Sequence, residues 1–198
     1  MEVQEPISDY GLLDLSKEYS YLDYLRWHFK ERVELIKGRI YKMSPAPSRR
    51  HQDTSQIINF WFYEFFINKK CKVYVAPFDV RMPIPNGKKD STVVQPDLCV
   101  ICDTSKLDDQ GCNGAPDLIV EILSPGNSKM EMKIKMDLYE ECGVKEYWVV
   151  EPANTAILVY VLRDGQYIGL KPFIEGMAVK SELFPDLKVA VSDIFKED

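Results

Sequence analysis

The feature that most constrains the fold of this chain is an acid inside an apolar run. Leu118-Ile119-Val120-Glu121-Ile122-Leu123 is its most hydrophobic stretch and holds one carboxylate, Glu121. The run is too short to cross a membrane and too rich in β-branched residues for a helix. Bounded by Pro116-Asp117 and Ser124-Pro125-Gly126, it reads as a strand buried on both faces. An ionised carboxylate in so dry a place costs several kcal/mol unless a metal ion, a cation or hydrogen-bond donors meet it. Glu121 therefore requires partners.

The tripeptide Pro-Asp-Leu occurs twice, at Pro116-Asp117-Leu118 and at Pro96-Asp97-Leu98, where it opens a second β-rich run, Leu98-Cys99-Val100-Ile101. Adjacent strands lie about 4.8 Å apart, so Asp97 and Glu121 at facing positions can share one cation. Asp117 is a poorer partner, because four residues of extended strand put it about 13 Å from Glu121. It reads as a strand-entry residue that supports the site from outside. Only oxygen donors are on offer, which favours Mg²⁺ or Mn²⁺ over zinc. In the following helix Lys133 neighbours Lys129 and Asp137 and faces water, whereas Lys135 is flanked by Met132, Met136, Leu138 and Tyr139. Lys135 is the lysine that can reach the acids.

With 198 residues, 45% hydrophobic and 28% charged, the chain is expected to form one globular domain. A net charge of −6 argues against loose binding to nucleic acid. It does not exclude a nucleic-acid enzyme, since a divalent cation neutralises an acidic site. Arg49-Arg50-His51, Lys69-Lys70-Cys71-Lys72 and Lys88-Lys89 are the local clusters that could hold phosphates. No signal-peptide pattern opens the sequence and no segment reaches membrane-spanning length, so a cytoplasmic location without membrane partners is expected. Five cysteines, an odd number in apolar segments, point to reduced thiols. Cys99-x-x-Cys102 with Cys112 is a weak zinc pattern, because residues three apart on a strand face opposite ways.

Periodicity predicts a helix over Tyr19–Lys30 with Leu22, Leu25 and Phe29 on one face, then a hairpin, Arg32–Ile36 and Arg39–Met43, around Lys37-Gly38. After Ser44-Pro45-Ala46-Pro47-Ser48, a second helix carries the stripe Ile57, Ile58, Trp61, Phe62, Phe65 and Phe66 into the core. Strands are expected over Lys72–Arg81 and Thr92–Cys102, separated by a loop through Pro85-Asn86-Gly87, and a polar loop runs on to Ala115. A third helix starts at a capping box, Ser128 with Glu131, and stops at Gly143. Glu146–Val150 is a strand, Thr155–Leu162 pairs with Gln166–Leu170 across Arg163-Asp164-Gly165, and two short strands follow. The expectation is one α/β (α+β) domain with a central mixed sheet flanked by helices. Its parts are an extension (1–18), a helix plus hairpin (19–47), an αβββαβ core (48–151) and a β meander (152–198).

A Pro-Asp acid, an acid in the next strand and a lysine together resemble the PD-(D/E)XK nuclease superfamily. The longer string Gly114-Ala115-Pro116-Asp117-Leu118-Ile119-Val120-Glu121-Ile122-Leu123-Ser124-Pro125, then Lys135-x-x-x-Tyr139, then Gly143-Val144-Lys145-Glu146-Tyr147-Trp148, is similar to the Uma family of restriction endonuclease-like proteins. Val33-Glu34-Leu35-Ile36-Lys37-Gly38 and Ser44-Pro45-Ala46-Pro47 also fit. The resemblance implies a restriction endonuclease-like fold and a Mg²⁺- or Mn²⁺-dependent endonuclease hydrolysing phosphodiester bonds in DNA. Asp97, Glu121 and the Ile122 carbonyl would be metal ligands. The motif lysine belongs at position 123, where this chain has Leu123, so its role would pass to Lys135. Glu34 would be the upstream acid, His51 the histidine opening the second helix, and Tyr139 a supporting residue. A homodimer would suit cutting of both strands. Leu123 also favours a second reading, a catalytically inactive nuclease-fold module that binds nucleic acid or a protein partner. Two acids kept in costly surroundings favour the enzyme.

Overall fold

The computed structural model describes residues 6–43, 46–85, 87, 90–124 and 129–196. After a 3-10 turn, Tyr10–Leu12, the first α-helical element is a single turn, Tyr21–Tyr24 (α1), closed by a capping box between Ser20 and Asp23. The helix expected over Tyr19–Lys30 does not form. Leu22 and Leu25 are 73% and 41% exposed, and the segment is anchored instead by aromatic rings, with Tyr21 buried against Leu35 and Val93 beside Tyr19, Tyr24 and Trp27. Backbone bonds from Ile7 N–H to the Arg26 carbonyl and from His28 N–H to the Ile7 carbonyl draw the chain past Trp27 into an extended bridge.

The expected hairpin is present as Val33–Ile36 (β1) and Arg39–Lys42 (β2). Lys37 and Gly38 both take positive φ, 52° and 79°, as a two-residue turn that follows strand twist requires. The aromatic helix spans Arg49–Phe66 (α2), with Ser48 as N-cap accepting from His51 N–H. The two long strands expected next are each broken, and both breaks fall at a proline, which cannot donate to a ladder. Lys72–Val75 (β3) and Val80–Arg81 (β4) flank Pro77, while Val93–Val94 (β5) and Leu98–Ile101 (β6) flank Pro96. The polar loop to Ala115 contains a small hairpin, Leu107–Asp108 (β7) and Gly111–Asn113 (β8).

The apolar run is a strand, Leu118–Ile122 (β9), followed by the helix Lys129–Glu141 (α3). The proposed cap, Ser128, lies outside the described residues, as do Lys88 and Lys89. At the other end Gly143, φ +80°, terminates α3 as expected: the Val144 N–H bonds the Tyr139 carbonyl and the Gly143 N–H the Glu140 carbonyl. The remainder is Glu146–Glu151 (β10), Ala156–Arg163 (β11), Gln166–Gly169 (β12), Phe173–Ile174 (β13), Ala178–Lys180 (β14), Lys188–Ala190 (β15) and the turn Val191–Ile194 (α4).

The central sheet runs β12-β11-β10-β9-β6-β3, with β13 on β11. It is mixed, because β9 and β10 are parallel and the other pairings antiparallel. The prolines divert β4 and β5 into a second sheet, β2-β1-β5-β4-β8-β7, and β14 pairs with β15 alone. One face of the central sheet packs Val120, Val100, Trp148 and Val150 against Ile58, Phe62 and Phe66 of α2. The opposite face packs Ile119, Cys99, Tyr147 and Val149 against Leu138 and Tyr139 of α3. This two-sided cover is why β9 is apolar at consecutive positions. Each such fully buried side chain contributes about 1.5–3 kcal/mol.

The cysteines depart from expectation. Cys71 and Cys102 form a disulfide, because the β3–β6 register that sets Lys72 opposite Ile101 brings these flanking residues together. Cys99 and Cys112 are free and buried, and Cys142 is free and half-buried.

Candidate active site

Leu98 pairs with Val120 in the antiparallel β6–β9 ladder, so one step further Asp97 stands opposite Glu121, on the same face of the sheet. Asp97 is fixed through Oδ2, which accepts from Ile122 N–H at 2.8 Å and lies 3.2 Å from His51 Nε2. Glu121 is fixed through Oε1, which accepts from Lys135 Nζ at 2.9 Å and from the Tyr139 hydroxyl at 2.6 Å. Glu34 enters from β1 of the second sheet. Its Oε1 accepts from Gln95 N–H at 2.9 Å and lies 3.1 Å from Lys135 Nζ.

The two sheets and both long helices therefore meet at one cleft of about 80 Å³ whose walls include Glu34, His51, Asp97, Glu121, Ile122 and Lys135. Each of the three acids is anchored by one oxygen. Among the described residues Asp97 Oδ1, Glu121 Oε2 and Glu34 Oε2 take no hydrogen bond.

The electrostatics follow from burial and this imbalance. Burial pushes the Glu121 carboxyl up, against the pull of Lys135, and the charges of Asp97 and Glu34 add to the push. Burial disfavours the Lys135 ammonium, yet Glu121 and Glu34 outweigh it and hold its pKa above that of an ordinary lysine. Tyr139 is pushed well up, by burial first and then by Glu121, and stays a phenol. For His51 burial disfavours charge, but the hydrogen bond and charge of Asp97 raise its pKa on balance. Glu34 and Glu121 thus share the buried Lys135 ammonium, with Asp97 beside them, in a cleft that Arg32 and Glu131 also line.

The donor set fits a hard cation. Among the described residues no three His, Cys, Asp or Glu side chains are grouped closely enough to hold an ion by themselves. Asp97 and Glu121, on facing positions of adjacent strands, are the pair that can share an ion, with Lys135 against the Glu121 and Glu34 oxygens on the other side. Two carboxylates, a neighbouring carbonyl and waters make the oxygen shell that Mg²⁺ accepts. A cavity of this volume has room for an ion and a few waters, each of about 30 Å³.

Of the residues expected here, the structure brings together Asp97, Glu121, Lys135, Glu34, His51, Tyr139 and Ile122. Asp117 stands apart. Its Oδ2 accepts from Cys102 N–H at 2.7 Å and its Oδ1 from Lys145 Nζ at 2.6 Å, which fits a strand-entry role. Leu123 is absent from the cleft wall and instead lines a neighbouring cavity of about 300 Å³ with Pro152 and Ala153. Lys133 is exposed and paired with Asp137, as expected. Gln95 and Glu131, which also line the cleft, were not singled out by the sequence. Gln95 acts on Glu34 through its backbone, which leaves no side-chain signal, and Glu131 reads equally well as a helix-cap residue.

A family model described as "Uma2: Putative restriction endonuclease" matches residues 21–192. The chain belongs to the Uma2 family. Among solved structures it is similar to a "putative nuclease belonging to DUF820" from Anabaena variabilis ATCC 29413, with a TM-score of 0.71 and 18% identity over 89% of this chain and 97% of that one. At that identity the likeness speaks for the fold, which is restriction endonuclease-like. No curated protein matches. Among the described residues no helix is long and apolar enough to cross a membrane.

Proposed function

We propose that this Uma2 family member is a Mg²⁺- or Mn²⁺-dependent endonuclease that hydrolyses phosphodiester bonds in DNA. The observation that carries this reading is that Asp97 and Glu121 stand together on facing strands, with Glu34 and the buried Lys135 ammonium beside Glu121. Asp97, Glu121 and the Ile122 carbonyl would hold the cation. When bound, it would polarise a phosphoryl oxygen and lower the pKa of a coordinated water.

The chain's own groups have separable tasks. His51 and the Ile122 N–H hold Asp97 Oδ2 and so orient its other oxygen toward the cleft. Tyr139 and Lys135 do the same for Glu121. Lys135 keeps its proton in this surrounding, so it acts as a charge that stabilises the phosphorane rather than as a base. Glu34 shares that ammonium and fixes its position. Lys135 on α3 would then stand in for the lysine missing at position 123, which favours the enzyme over the inactive module.

The test is a panel of DNA and RNA substrates incubated with Mg²⁺ and with Mn²⁺, with Glu121→Ala as the control for contaminating nuclease. The expected result is metal-dependent cutting of DNA by the parent chain and none by Glu121→Ala or Asp97→Ala. Equal cutting by parent and variants would refute the assignment.

A further inference from the structure

Two larger cavities open off the acidic cleft beside the N-terminal segment, and Arg32 lines all three. One, of about 660 Å³, is bordered by Lys30, Arg32 and Lys42 and shares Met43 and Pro47 with the cleft. The other, of about 370 Å³, is walled by Tyr24, Trp27 and Phe29 and shares Gln95 as well as Arg32 with the cleft.

Lys30 and Lys42 are exposed, and the Arg32 guanidinium is held at the junction by Gln95 Oε1 at 2.8 Å. Glu31, the one acid among the described residues lining either cavity, lies 3.6 Å from Lys42. In a chain of net charge −6 this local excess of cations next to carboxylates runs against the average. The Trp27 and Phe29 rings are half-buried and stacked, with centroids 5.8 Å apart and planes at 29°.

We propose that this shelf holds an unpaired nucleic-acid strand as it leaves the acidic cleft. The phosphates would lie against Lys30, Arg32 and Lys42, and an unstacked base against Trp27 and Phe29. The proposal rests on the nuclease reading above and narrows its substrate to DNA with a single-stranded portion. A duplex presents phosphates outward and keeps its bases stacked, so it could use the cations but not the aromatic wall. Splayed bases use both. The cleft itself is narrow, about 80 Å³, and this shelf adjoins it through Arg32.

The experiment is fluorescence anisotropy of the full chain, without divalent metal, on labelled oligothymidylate and on a duplex of the same length. We expect the single strand to bind more tightly. The double variant Lys30→Gln, Lys42→Gln should weaken that binding and flatten the slope of log K against log salt by about 0.7 per lost phosphate contact. Trp27→Leu should weaken it roughly five- to hundredfold with the slope unchanged, and Phe29→Leu serves the same purpose if Trp27→Leu does not fold. Unchanged affinity and slope in these variants, or tighter binding of the duplex, would overturn the shelf. Mn²⁺ titration of the same proteins separates the two claims. Metal binding with shelf-independent oligothymidylate binding refutes the shelf alone. Shelf-dependent binding in a protein that takes no metal supports the shelf and refutes the nuclease reading.

Discussion

Glu121 in β9 and Glu146 in β10 are both buried carboxylates of the central sheet, and they are held in opposite ways. Glu146 is completely enclosed and uses both oxygens: Oε1 accepts from Trp148 Nε1 at 2.6 Å, and Oε2 from Ser181 Oγ at 3.0 Å and Leu183 N–H at 2.7 Å. Burial raises its pKa and these neutral donors oppose the rise. The result is a latch that pins the turn before β15 onto the sheet. Among the described residues Glu121 takes hydrogen bonds on one oxygen, and it is crowded by two other acids and borders a cleft. A buried acid with both oxygens engaged by neutral donors is architecture, whereas one with an oxygen unengaged among like charges is the kind that a cation would suit.

The sharpest way to break this contrast is to exchange the two phenotypes. Glu121→Ala should abolish metal-dependent cleavage while the urea midpoint stays near that of the parent, because the change removes repulsion along with an ion pair. Lys135→Met comes next. It should lower kcat by about 10²–10³ and also destabilise the fold by about 3–5 kcal/mol, since Glu34 and Glu121 are left buried without their counter-charge. Steady-state cleavage and urea titration read the two effects separately. Glu146→Ala should cost about 2–4 kcal/mol in urea unfolding, because it strands the Trp148, Ser181 and Leu183 donors, and should leave Mn²⁺ affinity unchanged.

Two smaller effects sharpen the boundary of the site. His51→Gln should weaken Mn²⁺ binding by about 10- to 100-fold, the usual effect of losing a partner that orients a ligand, as calorimetry would show. Lys145→Ala, which breaks the Asp117 pair at its 59%-exposed lysine, should change stability by no more than about 1 kcal/mol and metal affinity not at all. A strong effect of Lys145→Ala on metal binding would bring Asp117 back into the site.

How much of this was readable beforehand depended on whether a residue's role was local. The β9 strand and its acid were legible because a short apolar run between turn signals has few other solutions. Asp97 followed because the repeated Pro-Asp-Leu marked the start of a neighbouring strand, and Lys135 followed from helical spacing. Glu146 passed without remark, since its partners lie far along the chain at Ser181 and Leu183. The Tyr19–Lys30 helix failed because leucine spacing matched a helix by coincidence while the aromatic residues between did the anchoring. Pro77 and Pro96 carried the signal that two strands would break, but not that the pieces would join a second sheet that delivers Glu34. The Cys71–Cys102 pairing depends on the β3–β6 register, which cysteine counting cannot see.

The most direct test of the central claim is calorimetric titration of Mn²⁺ into three proteins: the parent, Glu121→Gln and Glu146→Gln. If Glu121 Oε2 completes a cation site, the parent and Glu146→Gln proteins bind Mn²⁺ with similar affinity and Glu121→Gln does not. Equal binding by the parent and Glu121→Gln, or none by any of the three, would contradict it.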